Sequence, residues 1–426
     1  MHTDDAVIKL IKAEEKRQRE GLELIPSENY VSRAVLDAMG SVFTNKYSEG
    51  YIGKRYYGGQ ENTDKIEQLA IDRAKALFNC DHANVQPLGG ATANEIMYNS
   101  WLEPGDTVMA MRLDHGGHLT HGHPVTYLAK QYNFVRYGIK NIETGEIDFE
   151  ALRATALKEK PKMLLVGFSA YPRELDYAKF AEIGNEVGAV LVADMAHISG
   201  LIAGKALKNP FDYGFHIMTS TTHKTLRGPR SGMILSMGTV SNPLKAPDKT
   251  VENLPTLIDR MTFPGMQGGP HMHTIAAKAV CFYEAMQPEY QNYAQQVIKN
   301  AKKLADSLME RGFKLITNGT DNHLLLCDIK TSFGIHGGVA EEALDAIGLT
   351  MNKNSIPNDT EPPFRPSGLR LGTPAMTTRG LTEDHMEQIA EWMLQGIVHR
   401  SDAKKMASLR AETKEFALKF PMPSDV

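Results

Sequence analysis

From about residue 63 onward the chain alternates two patterns. Stretches with apolar residues three and four positions apart are separated by short runs that are apolar throughout. Ile66, Leu69, Ala70 and Ala74 mark one side of a helix over 63–78. Seven apolar runs then read as strands: 83–87, 107–111, 134–139, 163–169, 189–195, 217–221 and 232–237. Strands of unbroken apolar character are buried on both faces, and helices between them supply the covering layers. The pattern predicts an α/β fold: a mostly parallel seven-stranded sheet flanked by helices. Beyond a glycine-rich break at 262–270 and a helix over 273–286, a smaller α+β region begins. There Val297, Ala301, Leu304 and Leu308 face inward from a helix over 293–311. Strands follow at 314–317 and 324–329, a helix at 339–347, and a polar, proline-rich loop over 352–366. Met386, Ile389, Ala390, Met393, Leu394 and Ile397 define a helix over 383–398 with Thr382 as its N-cap, and a last helix spans 402–420. The expected organisation is an N-terminal helical arm over 1–25, a large domain over 26–275 and a smaller C-terminal domain over 276–426. The arm is a helix over 4–20 with Val7, Ile8, Leu10 and Ile11 on one side and an almost wholly charged second half. Such a helix needs a surface to dock on, and a dimer interface would provide one.

Composition narrows the class. With 42% apolar and 23% charged among 426 residues the chain has ample core, and a net charge of −4 lacks the basic excess of a nucleic-acid binder. Cys80, Cys281 and Cys327 are too few and too scattered for a disulfide framework or a zinc ribbon. No signal-peptide pattern opens the sequence, and no apolar run approaches the roughly 20 residues of a membrane helix. A cytoplasmic protein without membrane or nucleic-acid partners is expected.

Candidate chemistry gathers where strands end in polar residues. The run 189–193 leads into Asp194-Met195-Ala196-His197, and 217–221 leads into Thr222-His223-Lys224. Ligands of α/β sheets sit outside the carboxyl ends of strands. Asp194 and Lys224 are 224 − 194 = 30 residues apart, the length of one strand–crossover–strand unit, so adjacent strands can hold both at one rim. An amine that can form a Schiff base and an anion beside a pyridine nitrogen together suit pyridoxal phosphate; a plain salt bridge is the alternative. Gly89-Gly90-Ala91 between a strand and a helix would leave backbone N–H groups for an anion. It is not the G-x-G-x-x-G of dinucleotide folds. Residues 44–59 hold four tyrosines and four glycines in sixteen positions, unsuited to a core and suited to a ligand loop. The histidines of 115–123 are separated by glycines and lack helical ligand spacing, so a stacked imidazole is expected rather than a metal. Arg370, alone among apolar and glycine neighbours, is either a fork for a carboxylate or half of a buried ion pair.

These segments together resemble the serine hydroxymethyltransferase family, pyridoxal-phosphate enzymes of aspartate-aminotransferase-like fold. The resemblance rests on Pro26-Ser27-Glu28-Asn29-Tyr30, Asn45-Lys46-Tyr47-Ser48-Glu49-Gly50-Tyr51, Gly53-Lys54-Arg55-Tyr56-Tyr57-Gly58-Gly59 and His115-Gly116-Gly117-His118-Leu119-Thr120-His121-Gly122. Asp194-Met195-Ala196-His197, Thr221-Thr222-His223-Lys224-Thr225-Leu226, Gln267-Gly268-Gly269-Pro270 and Asn352-Lys353-Asn354-Ser355 complete it, in family order. The resemblance implies transfer of the serine hydroxymethyl carbon to tetrahydrofolate, giving glycine. It implies Lys224 as the cofactor's amine and Asp194 as the ring-nitrogen anion. His118 would stack on the ring, Ser169 would bond its phenolic oxygen, and Gly89, Gly90 and Ala91 would hold the phosphate. Arg370 would take the substrate carboxylate with Ser27 and His197, Glu49 would act as general acid/base, and Thr221 and His223 would flank the lysine. Tyr47, Glu49 and Tyr57, with Gly268 and Gly269 near the phosphate, would come from the neighbouring subunit of a homodimer. Folate would lie along Leu113, Gly117, Leu119, Asn354 and Phe364.

Two departures stand out. The serine hydroxyls common in the family's phosphate turn are missing from Leu88-Gly89-Gly90-Ala91-Thr92-Ala93-Asn94, which predicts weaker phosphate anchoring, and Pro362-Pro363-Phe364 replaces a Ser-Pro-Phe stretch near the folate. The competing readings are a threonine-type aldolase or an α-methylserine hydroxymethyltransferase on the same residues, and a non-catalytic binding protein.

Overall fold

A computed structural model describes residues 4–241 and 248–425. The chain divides into two compact units, residues 31–295 and a second built from the residues up to Tyr30 together with Gln296 onward.

The larger unit is organised on seven strands: β1 (His82–Asn84), β2 (Thr107–Met111), β3 (Asn133–Tyr137), β4 (Met163–Gly167), β5 (Val190–Asp194), β6 (Ile217–Thr221) and β7 (Gly232–Ser236). Their order across the sheet is β1-β7-β6-β5-β4-β2-β3. Neighbours from β6 to β3 pair in parallel, and β7 alone runs the other way, antiparallel to both β6 and β1. Every residue of β4, β5, β6 and β7 is buried, as runs of Val, Leu, Ile and Met covered on both faces require. Ile96 and Met97 of helix Gly90–Trp101 pack with Val108, Leu165, Val192 and Ile234 in one such layer. The seven expected strands all form, most a residue or two shorter than their apolar runs.

The second unit carries a four-stranded antiparallel sheet in the order Lys314–Leu315, Leu324–Asp328, Gly368–Gly372, Asn352–Asn354. Leu325, Cys327, Leu369 and Leu371 join Leu304, Leu308, Leu344, Met386, Ile389, Met393 and Ile397 in its core. Strand Asn352–Asn354 lies inside the stretch expected to be loop. Its residues are polar, and only main-chain pairing to Gly368–Gly372 makes it a strand.

The packing also moves the expected domain limits. Residues 276–295 stay with the larger unit, because helix Met272–Ala285 packs on helices Glu61–Phe78 and Arg33–Met39. Residues 26–30 belong to the second unit. Leu22–Glu23 pair in parallel with Leu349–Thr350, the Gly372 N–H donates to the Leu24 carbonyl at 2.7 Å, and Thr378 Oγ1 donates to Asn29 Oδ1 at 2.7 Å. The N-terminal helix is Asp5–Glu20, capped by the Asp4 carboxylate, and none of its residues is buried. Leu10 remains 71% exposed.

Candidate active site

Asp194 is the last residue of β5, in register with Gly167 of β4 and Thr219 of β6, at the carboxyl rim of the sheet. Its buried Oδ2 accepts from His121 Nε2 at 2.9 Å and from Asn94 Nδ2 at 2.8 Å, and Oδ1 accepts from the Ala196 N–H at 3.1 Å. His121 Nδ1 accepts from the His118 N–H at 3.2 Å, so the ring proton sits on Nε2 and faces the carboxylate. The Asn94 amide is oriented in turn: Thr219 Oγ1 donates to its Oδ1 at 2.6 Å, and its Nδ2 also donates to Thr120 Oγ1 at 2.8 Å. Burial alone would raise the Asp194 pKa. The hydrogen bond from His121, the electrostatic pull of the His121 and His118 imidazoles and the Asn94 bond outweigh it and hold the carboxyl well below the usual carboxylate range. A buried, permanent anion results.

Lys224 follows β6 by three residues and is half-buried. Its loop is stitched to the one after Asp194 on both sides. Thr221 Oγ1 donates to the Ala196 carbonyl at 3.1 Å, and Thr225 Oγ1 donates to the buried His197's carbonyl at 2.8 Å. The amine and the carboxylate therefore leave neighbouring strands through loops bonded to each other. His223, beside the lysine, has its pKa pushed down to about 3 by burial and by the charges of Lys224 and Arg230. Its Nδ1 is buried without a hydrogen-bond partner.

At the same rim β1 leads through Leu88 to helix Gly90–Trp101, whose N-cap Gly89 offers no side-chain cap. The first amide bonded inside this helix is that of Ala93, to the Gly89 carbonyl, so the preceding N–H groups are left for an anion. The turn is tightly bounded. A Cβ on Gly90 would stand 2.6 Å from Thr221 Cγ2, and one on Gly232 would stand 2.3 Å from the Gly89 carbonyl oxygen. Gln267 holds it from outside, accepting from the Leu88 N–H and donating to the Gln86 carbonyl, both at 3.1 Å.

His118, between two 3-10 turns, has its Nδ1 2.8 Å from Thr120 Oγ1. Ser169 Oγ donates to the Gly117 carbonyl at 2.8 Å. Leu113 and Leu119 flank this loop and are exposed. In the tyrosine-rich segment, Tyr47 OH donates to Glu49 Oε1 at 3.2 Å and its ring meets Tyr57 edge-on at 5.2 Å. Gly268 and Gly269 run against Glu49 and Tyr47. Arg55 grips both peptide carbonyls flanking Glu49, Ser48 at 2.9 Å and Gly50 at 2.8 Å, and pairs with Asp64 and Glu67.

Within the second unit, Arg370 stands on strand Gly368–Gly372, and its Nε donates to Asn352 Oδ1 at 3.1 Å. Burial draws its pKa down to about 10, which leaves a cation at neutral pH. Ser27 and Asn354 are half-buried and Phe364 is 75% exposed.

Sequence reasoning located Asp194, Lys224 and the glycine turn. It gave no role to Asn94, Thr120, His121, Thr219 or Gln267, which hold the anion and the turn in place. Spacing could have suggested Asn94 alone, because it lies one helical turn past Gly90.

Comparison with known proteins completes the picture. A family model described as serine hydroxymethyltransferase matches residues 1–393. The chain is 51% identical over 419 residues to a protein of that name from Koribacter versatilis (strain Ellin345), covering 98% of this chain and 94% of the relative. It is 50% identical over 420 residues to another from Acidobacterium capsulatum, covering 99% and 94%.

Proposed function

The chain belongs to the serine hydroxymethyltransferase family, and on that premise we propose that it binds pyridoxal phosphate at the β5–β6 rim and moves serine's hydroxymethyl carbon to tetrahydrofolate, leaving glycine. The observation that carries this reading is the pair of loops bonded to each other, one leaving a buried anion and the other leaving a lysine. The residues present fit the cofactor: bare amides at a helix start, a cradle that a Cβ would fill, an anion for a ring nitrogen, and an amine.

Pyridoxal phosphate, when bound, supplies an aldehyde that links to amines and a cationic ring that accepts the electron pair left on Cα. Lys224 would be the resident amine that holds the aldehyde, at a place open to the amine of serine. Asp194, fixed by His121 and Asn94, keeps a ring nitrogen protonated through the reaction. The amides of Gly90, Ala91 and Thr92 would take the phosphate, His118 would lie against the ring, and Ser169 would bond its phenolic oxygen. Arg370 clamps the substrate carboxylate in bidentate fashion, with Ser27 and His197 assisting. Glu49 takes the proton of the serine hydroxyl as the Cα–Cβ bond opens, and Tyr47 orients it. His223 stays neutral beside Lys224, so it adds no positive charge to the amine's surroundings. Tetrahydrofolate, the acceptor, lies along Leu113, Gly117 and Leu119, with Asn354 and Phe364.

Tyr47, Glu49 and Tyr57, with Gly268 and Gly269, serve the partner's site in a homodimer. The unburied apolar side of helix Asp5–Glu20 supports assembly with a second copy. The three cysteines are buried thiols, which supports a cytoplasmic setting. Among the described residues no helix is long and apolar enough to cross a membrane.

The test is glycine formation from serine by purified protein with and without tetrahydrofolate. The reading predicts that omitting folate abolishes rapid turnover. Undiminished serine cleavage without folate would move the assignment to an aldolase.

A further inference from the structure

Lys278 lies beside the phosphate turn, and the reaction above leaves it without a role. It projects from helix Met272–Ala285, is only 1% exposed, and forms no salt bridge among the described residues. Its ammonium spends its donors on three main-chain carbonyls: Val85 at 2.6 Å, Gly232 at 2.6 Å and Pro87 at 3.3 Å. Val85 and Pro87 lie on the segment that carries β1 into the turn at Gly89. Gly232 opens β7, and its Cα packs directly under the Gly89 carbonyl. The Pro87 carbonyl also receives the Gly232 N–H at 3.1 Å and Ser231 Oγ at 3.0 Å. One amine thus gathers both flanks of the turn.

Burying an ammonium without a carboxylate partner is costly, and a packed apolar side chain would ordinarily be the more stable choice. The strain shows in its acidity: burial draws the pKa down to about 7, against the opposing pull of Glu67 and Cys281. Glu67 is itself engaged by Arg55 and Gln86, so it does not neutralise the lysine directly. An amine held at this expense directly behind a row of bare amides, and only part protonated near neutral pH, gains most when an anion arrives in front of them and secures its proton.

We propose that Lys278 is a positioning residue for the phosphate-binding turn. It fixes Val85, Pro87 and Gly232 in one frame, aims the amides of Gly90, Ala91 and Thr92, and adds a point charge behind them. The inference rests on the reading of this turn as the phosphate site.

The experiment titrates apoprotein stripped of pyridoxal phosphate with pyridoxal 5′-phosphate and with pyridoxal, which lacks the phosphate, comparing the wild-type chain with Lys278→Met and Lys278→Gln. The Gln variant keeps an uncharged NH2 donor group for the carbonyls, so it stays readable if the Met variant does not fold. Circular dichroism checks each fold. The wild-type chain should prefer the phosphorylated ligand, and inorganic phosphate should compete with it. A wild-type chain showing no such preference would refute the phosphate site itself. If the preference is present, a folded variant should lose roughly tenfold or more in affinity for pyridoxal 5′-phosphate and little for pyridoxal, the size of one lost charge-assisted contact. Equal losses for both ligands, or no loss for either, would overturn the role of Lys278.

Discussion

At the scale of single residues the site is a problem of keeping charge in place. Asp194 is anionic inside protein because three donors converge on it, and those donors come from segments 73 and 100 residues away in sequence as well as from its own loop. That distance explains what could be read beforehand. An acid and a lysine at the ends of apolar strands announce themselves locally, whereas His121 and Asn94 have no local pattern that points to Asp194. His223 offers a pH test. Its folded pKa of about 3 lies below the unfolded value of about 6.5, so the unfolded chain binds more protons between those values. The stability this contributes is fully present above about pH 6.5 and drains away as pH falls toward 3. His223→Asn should therefore make the dependence of unfolding free energy on pH shallower across that window by up to about one proton. Urea denaturation at a series of pH values measures it, and an unchanged slope would mean the imidazole titrates normally.

Elements carry the second lesson. The large sheet was legible because doubly covered strands must be apolar throughout, and β2 and β6 match their apolar runs residue for residue. Strand Asn352–Asn354 was not legible, because a polar edge strand has only its main-chain pairing to define it. Helix Gly90–Trp101 starts on the glycine pair itself, where glycine, alanine and threonine carry little apolar signal to mark an onset. That early start matters, because it delivers the bare amides to the rim. Gly232 shows how narrow the tolerance is. Gly232→Ala pushes a methyl into the Gly89 carbonyl and should destabilise the fold by about 1–3 kcal/mol, as overpacking does. It should also weaken cofactor retention, read as absorbance left after gel filtration. A variant as stable and as fully loaded as wild type would show that the turn has room to shift.

For the whole molecule the question is assembly. Tyr47, Glu49 and Tyr57 stand together on an exposed loop held by Arg55, while helix Asp5–Glu20 leaves apolar side chains in the open. Both features follow if each site is finished by a second copy. Co-refolding two inactive variants, Glu49→Gln and Lys224→Ala, should then restore part of the activity, since a mixed dimer contains one site with both residues intact. Two variants that remain inactive after mixing, although dimers form, would place Glu49 and Lys224 in the same chain's site.

The most direct measurement is reduction of the purified, cofactor-loaded protein with borohydride, followed by peptide mapping. The account predicts a single pyridoxyl group on the peptide that contains Lys224. A pyridoxyl group on another lysine, or none on any, would contradict it.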